Sequence, residues 1–201
     1  METRTVDELK VAPAPVAVLF ARSDSIYKSM PGCDVWDLER DARRWPGGCP
    51  VVAHPPCRAW AGLAHFAHPR PGEKELSVWA VDKIRANGGI LEHPARSKLW
   101  AAAGLPQPGA RDRWGGFTVP ILQWWFGPWA QEATRLYVCG VDPAVMPDIP
   151  FRIGYASHVV NTGHGVRAGM ASHRPHVSHR EREATPPALA AWLLSVARAC
   201  R

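Results

Sequence analysis

The chain predicts an α/β domain built on a mostly parallel sheet, and three consecutive segments carry that expectation. Val51-Val52-Ala53 is an apolar run stopped by Pro55-Pro56, and Ile90-Leu91 is a second, entered through Gly88-Gly89 and stopped by Pro94. Between them Glu73 to Asn87 has a helical period, with Leu76, Trp79, Ala80 and Ile84 on one face and Asn87-Gly88 suited to a left-handed cap. Strand, crossover helix and strand make a right-handed parallel unit. Both strands then deliver their following loops to one edge of the sheet, the edge at which open α/β sheets usually do their chemistry.

The remaining elements follow in order. Residues 1–15 carry Glu, Asp and Lys, lack a long apolar core and end in Ala-Pro-Ala-Pro, which predicts a flexible lead-in and no signal peptide. Residues 16–201 then form a single domain, starting with a strand over Val16 to Phe20. Asp34 to Asp41 falls in a predicted loop, and a short helix is expected near Ser97 to Ala103. Gly104 to Gly116 is a Pro- and Gly-rich connection, and Arg135 to Val141 reads as the last strand. Ser157 to Glu183 is rich in His, Gly and Arg without either period, which predicts a mobile surface segment. The final helix has Thr185 as cap, Pro186 in its first turn and Leu189, Trp192, Leu193 and Val196 on one face.

Composition narrows the class. With 201 residues, 46% of them hydrophobic, the chain is long enough to bury a core, and no run approaches a membrane span. Five cysteines form no regular framework and leave at least one thiol free, which fits a reducing cytoplasm. The net charge is +6, and 19 of the 24 basic residues are arginine, the side chain suited to bidentate phosphate contacts. DNA or a nucleotide is the partner this suggests, although basic chains bind polyanions without specificity and arginine richness also follows from gene base composition. Of the ten tryptophans, Trp60, Trp124, Trp125 and Trp129 lie near the segments that end the strands. They suit either stacking on a base or the core.

Those strand ends hold the candidate chemistry. Two successive prolines fix φ and remove two backbone donors, so the loop holds the Cys57 thiol with little freedom. A preset thiol suits a nucleophile; the competing reading is a small buried hydrophobe. Glu92-His93-Pro94 repeats the layout after the second strand, so Glu92 shares an edge with Cys57. Its competing reading is a strand-end carboxylate paired with an arginine.

Pro55-Pro56-Cys57 followed by Glu92-His93-Pro94 resembles the DNA cytosine-5 methyltransferases, and more closely their short phage-type relatives. Gln123-Trp124-Trp125-Phe126-Gly127 and then Ala133-Thr134-Arg135-Leu136-Tyr137 are similar to a further run of those relatives, and the likeness spans about Val16 to Val141 as an order of segments. The resemblance implies a truncated, Rossmann-like methyltransferase-type domain. It implies Cys57 as the thiolate that adds to carbon-6 of a pyrimidine, activating carbon-5. Glu92 becomes the acid that protonates ring nitrogen-3, provided partial burial raises its pKa. His54, Pro55, Pro56, Arg58, His93 and Gln123 fall at substrate-binding positions, as does Arg113, which sits where the family has an Arg-x-Arg touching the target base.

The chain departs from the family at its cofactor. The methyltransferases hold S-adenosylmethionine on a Phe-x-Gly-x-Gly turn after the first strand, whereas this chain has Phe20-Ala21-Arg22-Ser23-Asp24. Both glycines are missing, and too little chain precedes Cys57 for a full second β-α repeat. S-adenosylmethionine is implied by the resemblance and opposed by these residues, which leaves the donor open. Arg22 and Ser23 suit a phosphate, or Arg22 is a solvated loop cation. No segment is long enough for a separate DNA-recognition domain, so action on DNA is expected to be indiscriminate or to depend on a protein partner, and a free pyrimidine nucleotide is the other substrate class. Two readings from other classes remain. One is a catalytically silent nucleic-acid-binding protein of the same fold. The other is a zinc module using His54, Cys57, His65 and His68, whereas His173, His176 and His179 fit a basic loop contacting nucleic acid.

Overall fold

The computed structural model describes residues 13–62, 64–128, 130–160 and 174–201. Its strands are β1 (Val16–Leu19), β2 (Cys33–Trp36), β3 (Val51–Ala53), β4 (Gly89–Pro94), β5 (Phe117–Leu122) and β6 (Ala133–Cys139). They form one mixed sheet in the order β2-β1-β3-β4-β6-β5. The first four strands are mutually parallel, and β6 runs antiparallel to both β4 and β5. The helices are α1 (Glu73–Asn87), α2 (Leu99–Ala102), α3 (His179–Glu183) and α4 (Pro187–Ala199). The architecture is α/β and compatible with a Rossmann-like fold.

The central strands are unbroken apolar runs because helices cover both faces of the sheet. All four residues of β1 are fully buried. Ala17 and Leu19 join Val51, Ala53, Leu91 and α1's Ile84 in one core layer; Val16 and Val18 join Val52, Ile90 and α4's Leu189 and Leu193 in the other. Both layers are needed to hold three such short strands, and α1 and α4 supply them. No helix among the described residues is long and apolar enough to cross a membrane.

Two strands leave no mark in the sequence. β2 occupies the predicted loop, because Cys33-Asp34-Val35-Trp36 is an edge strand with only two buried positions and no apolar run. The second repeat is therefore shortened and not lost: β2 leads directly into Asp37, and a 3₁₀ turn at Ala42–Arg44 stands in place of its helix, as the turn at Ile26–Ser29 does in the first crossover. Asp37 accepts from Lys28 Nζ at 2.6 Å and from the N–H groups of Glu39 and Arg40. β5 contains Pro120, which is tolerated because β5 is the other edge of the sheet and Pro120 is exposed.

Smaller differences concern ends. The last strand starts and stops two residues before the predicted bounds. Pro186 takes the cap position of α4 with extended backbone and no side-chain bond, so Thr185 is not the cap and Pro187 is the first helical residue. Within the segment predicted to lack structure, Ser178 and Glu181 form a capping box that starts α3; residues 161–173 of it, including His173, lie outside the described residues, as do residues 1–12 of the lead.

Strand order places the site. β1 has β2 on one side and β3 on the other, so strand order reverses between the carboxyl ends of β1 and β3, the place where open α/β sheets usually bind ligands. Phe20–Asp24 and His54–Cys57 directly follow those two strand ends.

Candidate active site

The loop that carries Cys57 is fixed along its length. His54 N–H donates to the Leu19 carbonyl at 3.0 Å, extending the β1–β3 ladder by one residue before the prolines end it. Ser77 Oγ of α1 donates to the Pro56 carbonyl at 3.1 Å. Cys57 then opens a 3₁₀ turn over Arg58–Trp60, whose N–H at Trp60 returns to the Cys57 carbonyl. Arg58 forms an ion pair with Glu73 at the start of α1, so it pins the turn to the helix. Cys57 itself is exposed.

Along β4 the side chains alternate, and this sorts its last residues. Leu91 and His93 face the α1 layer, which leaves Glu92 on the α4 face with His54 and Tyr27. Glu92 Oε2 lies 3.1 Å from His54 Nδ1, and the other ring nitrogen of His54 lies 3.2 Å from the Tyr27 hydroxyl. Glu92 Oε1 accepts from Gln123 Nε2 at 3.3 Å, and Gln123 Nε2 also reaches Thr134 Oγ1 at 3.1 Å. An ionised Glu92 only accepts, so Nδ1–H of His54 donates to it.

Electrostatics follow from this enclosure. Burial pushes the Glu92 carboxyl up, but the hydrogen bond and charge of His54, with smaller help from His93 and Thr134, outweigh it and hold Glu92 below the ordinary carboxylate value. The expectation of a raised Glu92 pKa is thus corrected: the bonds to its charged form prevail over desolvation. Partial enclosure, together with the charges of Glu92, Glu132 and Glu183, raises the Cys57 thiol above its usual value. The parallel pairing of β3 with β4 sets the two strand ends side by side. Glu132, just before β6, is pushed up to about 7 by burial and by the charge of Glu92.

Several predicted site residues take other roles. His93 is fully buried, edge-to-face with Trp100 at 6.5 Å, and has no hydrogen-bond partner at either nitrogen, so it lines no open site. Arg113 lies before β5, whose Phe117 pairs with Val138 of β6 opposite Ile90 of β4. That puts Arg113 toward the amino end of β4, away from Glu92, where it stacks on Trp114 at 4.0 Å. His54 holds Glu92 and Arg58 holds Glu73, in place of free substrate contacts. Phe20 adopts φ 61° and packs edge-on against Trp79. Arg22 bonds Asp24 at 2.8 Å and Glu183 at 2.9 Å, and Arg180 also reaches Asp24, so this turn is an ion-pair cluster tied to α3 with Ser23 exposed.

Trp60 is buried in the core and Trp125 meets Phe151 at 5.1 Å, whereas Trp129 lies outside the described residues. Among the described residues no three His, Cys, Asp or Glu side chains are placed to hold a metal ion. Sequence reasoning missed Tyr27, which nothing in its surroundings marks. It also missed Glu132, which directly precedes the quoted Ala133-Thr134 run.

His93 makes the site region acid-sensitive. Burial lowers its pKa from 6.5 to about 4. Below pH 6.5 the unfolded chain takes up a proton that the folded protein refuses, so stability falls between pH 6.5 and 4 and levels off below; the full loss is about 3 kcal/mol. His93→Phe is expected to flatten that limb in urea unfolding measured at pH 7, 5.5 and 4.5. An unchanged limb would remove His93 as its cause.

No family model, curated protein or solved structure matches this chain, so function is argued from the site itself.

Proposed function

We propose that this chain modifies cytosine at carbon-5, in DNA or in a nucleotide, through a covalent Cys57 adduct. The carrying observation is that parallel neighbours β3 and β4 bring a loop-fixed, exposed thiol and a carboxyl oriented on both oxygens to one edge of the sheet. The strand-order reversal between β1 and β3, the ordered motifs of the sequence and the net charge of +6 support the same reading. In duplex DNA the base has to leave the stack to reach Cys57.

The residues then act as follows. A protonated carboxyl is complementary to cytosine, donating to ring nitrogen-3 and accepting from the exocyclic amine. Glu92 is held ionised in the free protein, so pairing with the base draws a proton in. His54, backed by Tyr27, and Gln123, backed by Thr134, fix where that carboxyl points. The Cys57 thiolate adds to carbon-6, and the electron pair displaced onto the ring is neutralised at nitrogen-3 by the Glu92 proton.

The residues after β1 do not fit S-adenosylmethionine in the manner of the family. Arg22 and Asp24 carry side chains at the two glycine positions, and Arg22 is closed onto Asp24 and Glu183. No transfer step is derived through that cofactor. The same ion-pair cluster favours the second reading, a nucleic-acid-binding protein without catalysis.

A base that traps the adduct without any donor separates the two. A 2-pyrimidinone ring holds an added thiolate as a stable dihydro adduct. Intact-mass analysis with oligonucleotides and nucleotides carrying it is expected to show a one-to-one adduct that disappears in Cys57→Ala. Salt-sensitive DNA binding without any adduct would instead support the binding protein.

A further inference from the structure

Once Cys57 has added to carbon-6, the hydrogen on carbon-5 has to leave before the thiolate does, and neither Cys57 nor Glu92 serves that step. We propose that Glu132 is the base that takes the carbon-5 proton, acting from the wall of the cleft that adjoins Glu92. The inference rests on the reading of Cys57 and Glu92 above.

Position supports it first. Glu132 ends the connection into β6, and its carbonyl accepts Gln123 N–H at 3.0 Å, so it is fixed to the same residue that orients Glu92. Glu132 and Gln123 line an open cleft of ≈ 490 Å³ whose other walls are largely apolar, including Phe126, Val177 and Pro186. That volume lies in the range of small-ligand sites. The β4–β6 register pairs Glu92 with Leu136 and Pro94 with Thr134, so Glu132 continues the face that carries Glu92 past the end of β4, where the charge of Glu92 acts on it. Carbon-5 adjoins carbon-6, so its base has to stand close to the thiolate. Arg182 faces Glu132 from α3 and opposes these effects only in part. The outcome is a carboxyl at about 7, poised to give and accept a proton near neutrality.

The step balances without a donor. In the adduct, carbon-5 accepts a proton from solvent water on one face and becomes saturated, which leaves its original hydrogen on the face that Glu132 reaches. Glu132 carboxylate then removes the other carbon-5 hydrogen, the carbon-5–hydrogen electrons re-form the carbon-5–carbon-6 double bond, and the carbon–sulfur bond breaks to return the Cys57 thiolate. A tritium label on carbon-5 is thereby released to water.

The full chain is incubated with DNA and with deoxycytidine monophosphate labelled with tritium at carbon-5, and in parallel with the 2-pyrimidinone trap, whose adduct needs no change at carbon-5. Glu132→Gln is expected to keep the trapped adduct and lose tritium release by about 100-fold or more, with partial recovery in Glu132→Asp. Release from Glu132→Gln at the wild-type rate overturns the proposal, as does wild-type adduct without any release. Loss of both signals in Glu132→Gln and Glu132→Asp alike also overturns it, by making Glu132 a support of the adduct itself. Absence of trapped adduct in the wild-type chain defeats the reading of Cys57 and this proposal with it.

Discussion

Alanine in place of Gly89 is expected to lower the melting temperature by about 10 °C or more and to weaken the trapped adduct with it, an effect of about 4 kcal/mol. Gly89 has φ 131°, which L side chains rarely adopt, and it pairs with Val51 at the start of the β3–β4 ladder. A Cβ here would fall inside the contact distance of the Val51 carbonyl oxygen and 2.6 Å from the Val51 nitrogen. Both atoms are backbone, so no side chain moves aside and the strands have to part. The same ladder aligns Ala53 with Leu91, one residue before His54 and Glu92, so separating the strands pulls the two halves of the site apart. Gly104 provides the control. Its φ is 60° but nothing lies within 4 Å of the position a methyl would take, so Gly104→Ala should cost only the left-handed strain of about 1–2 kcal/mol. Equal melting shifts for the two variants would show that the contact with Val51 is not the source.

The difference between what the sequence displays and what the fold contains follows burial. β1, β3 and β4 are covered on both faces, so their apolar runs are visible, and α1 and α4 show a period because each presents one face to the sheet. β2 and β5 are edges, and an edge strand needs neither an apolar run nor freedom from proline, so Cys33–Trp36 and the Pro120 strand leave no local mark. The site divides in the same way. Gln123 and Glu92 sit in ordered motifs and meet at 3.3 Å, and Cys57 follows the strand that pairs beside Glu92's own. His93 and Glu92 are adjacent in sequence, yet strand alternation sends one into the core and the other into the site. Tyr27 reaches His54 from 27 positions away along the chain, a pairing that depends on the turn after β1 and on no spacing rule. The direction of the Glu92 shift is equally hidden, because it depends on which groups donate to the carboxyl and not on how deeply it lies.

Removal of Asp112 is expected to cost about 3–5 kcal/mol in urea unfolding, since it strands a buried cation. Asp112 Oδ2 accepts from the Tyr137 hydroxyl at 2.7 Å and from Arg85 at 3.3 Å, while Oδ1 accepts from the N–H groups of Trp114 and Gly116. The Arg85 and Asp112 side chains are only 11% and 9% exposed, so water replaces little of what is lost. Asp112→Ala leaves the guanidinium with the Ala103 carbonyl, the Tyr137 hydroxyl and the Trp114 ring, none of which carries opposite charge. Arg85→Met combined with Asp112→Ala removes the charge together with its partner and is expected to recover part of the loss. A double variant as unstable as the two single losses added would show that the pair is not coupled. This cluster ties α1 to β6 and to the loop before β5, toward the amino end of β4 and away from Cys57. Folded Asp112→Ala protein should therefore still form the Cys57 adduct, which separates a lock on the far end of the sheet from a part in the chemistry.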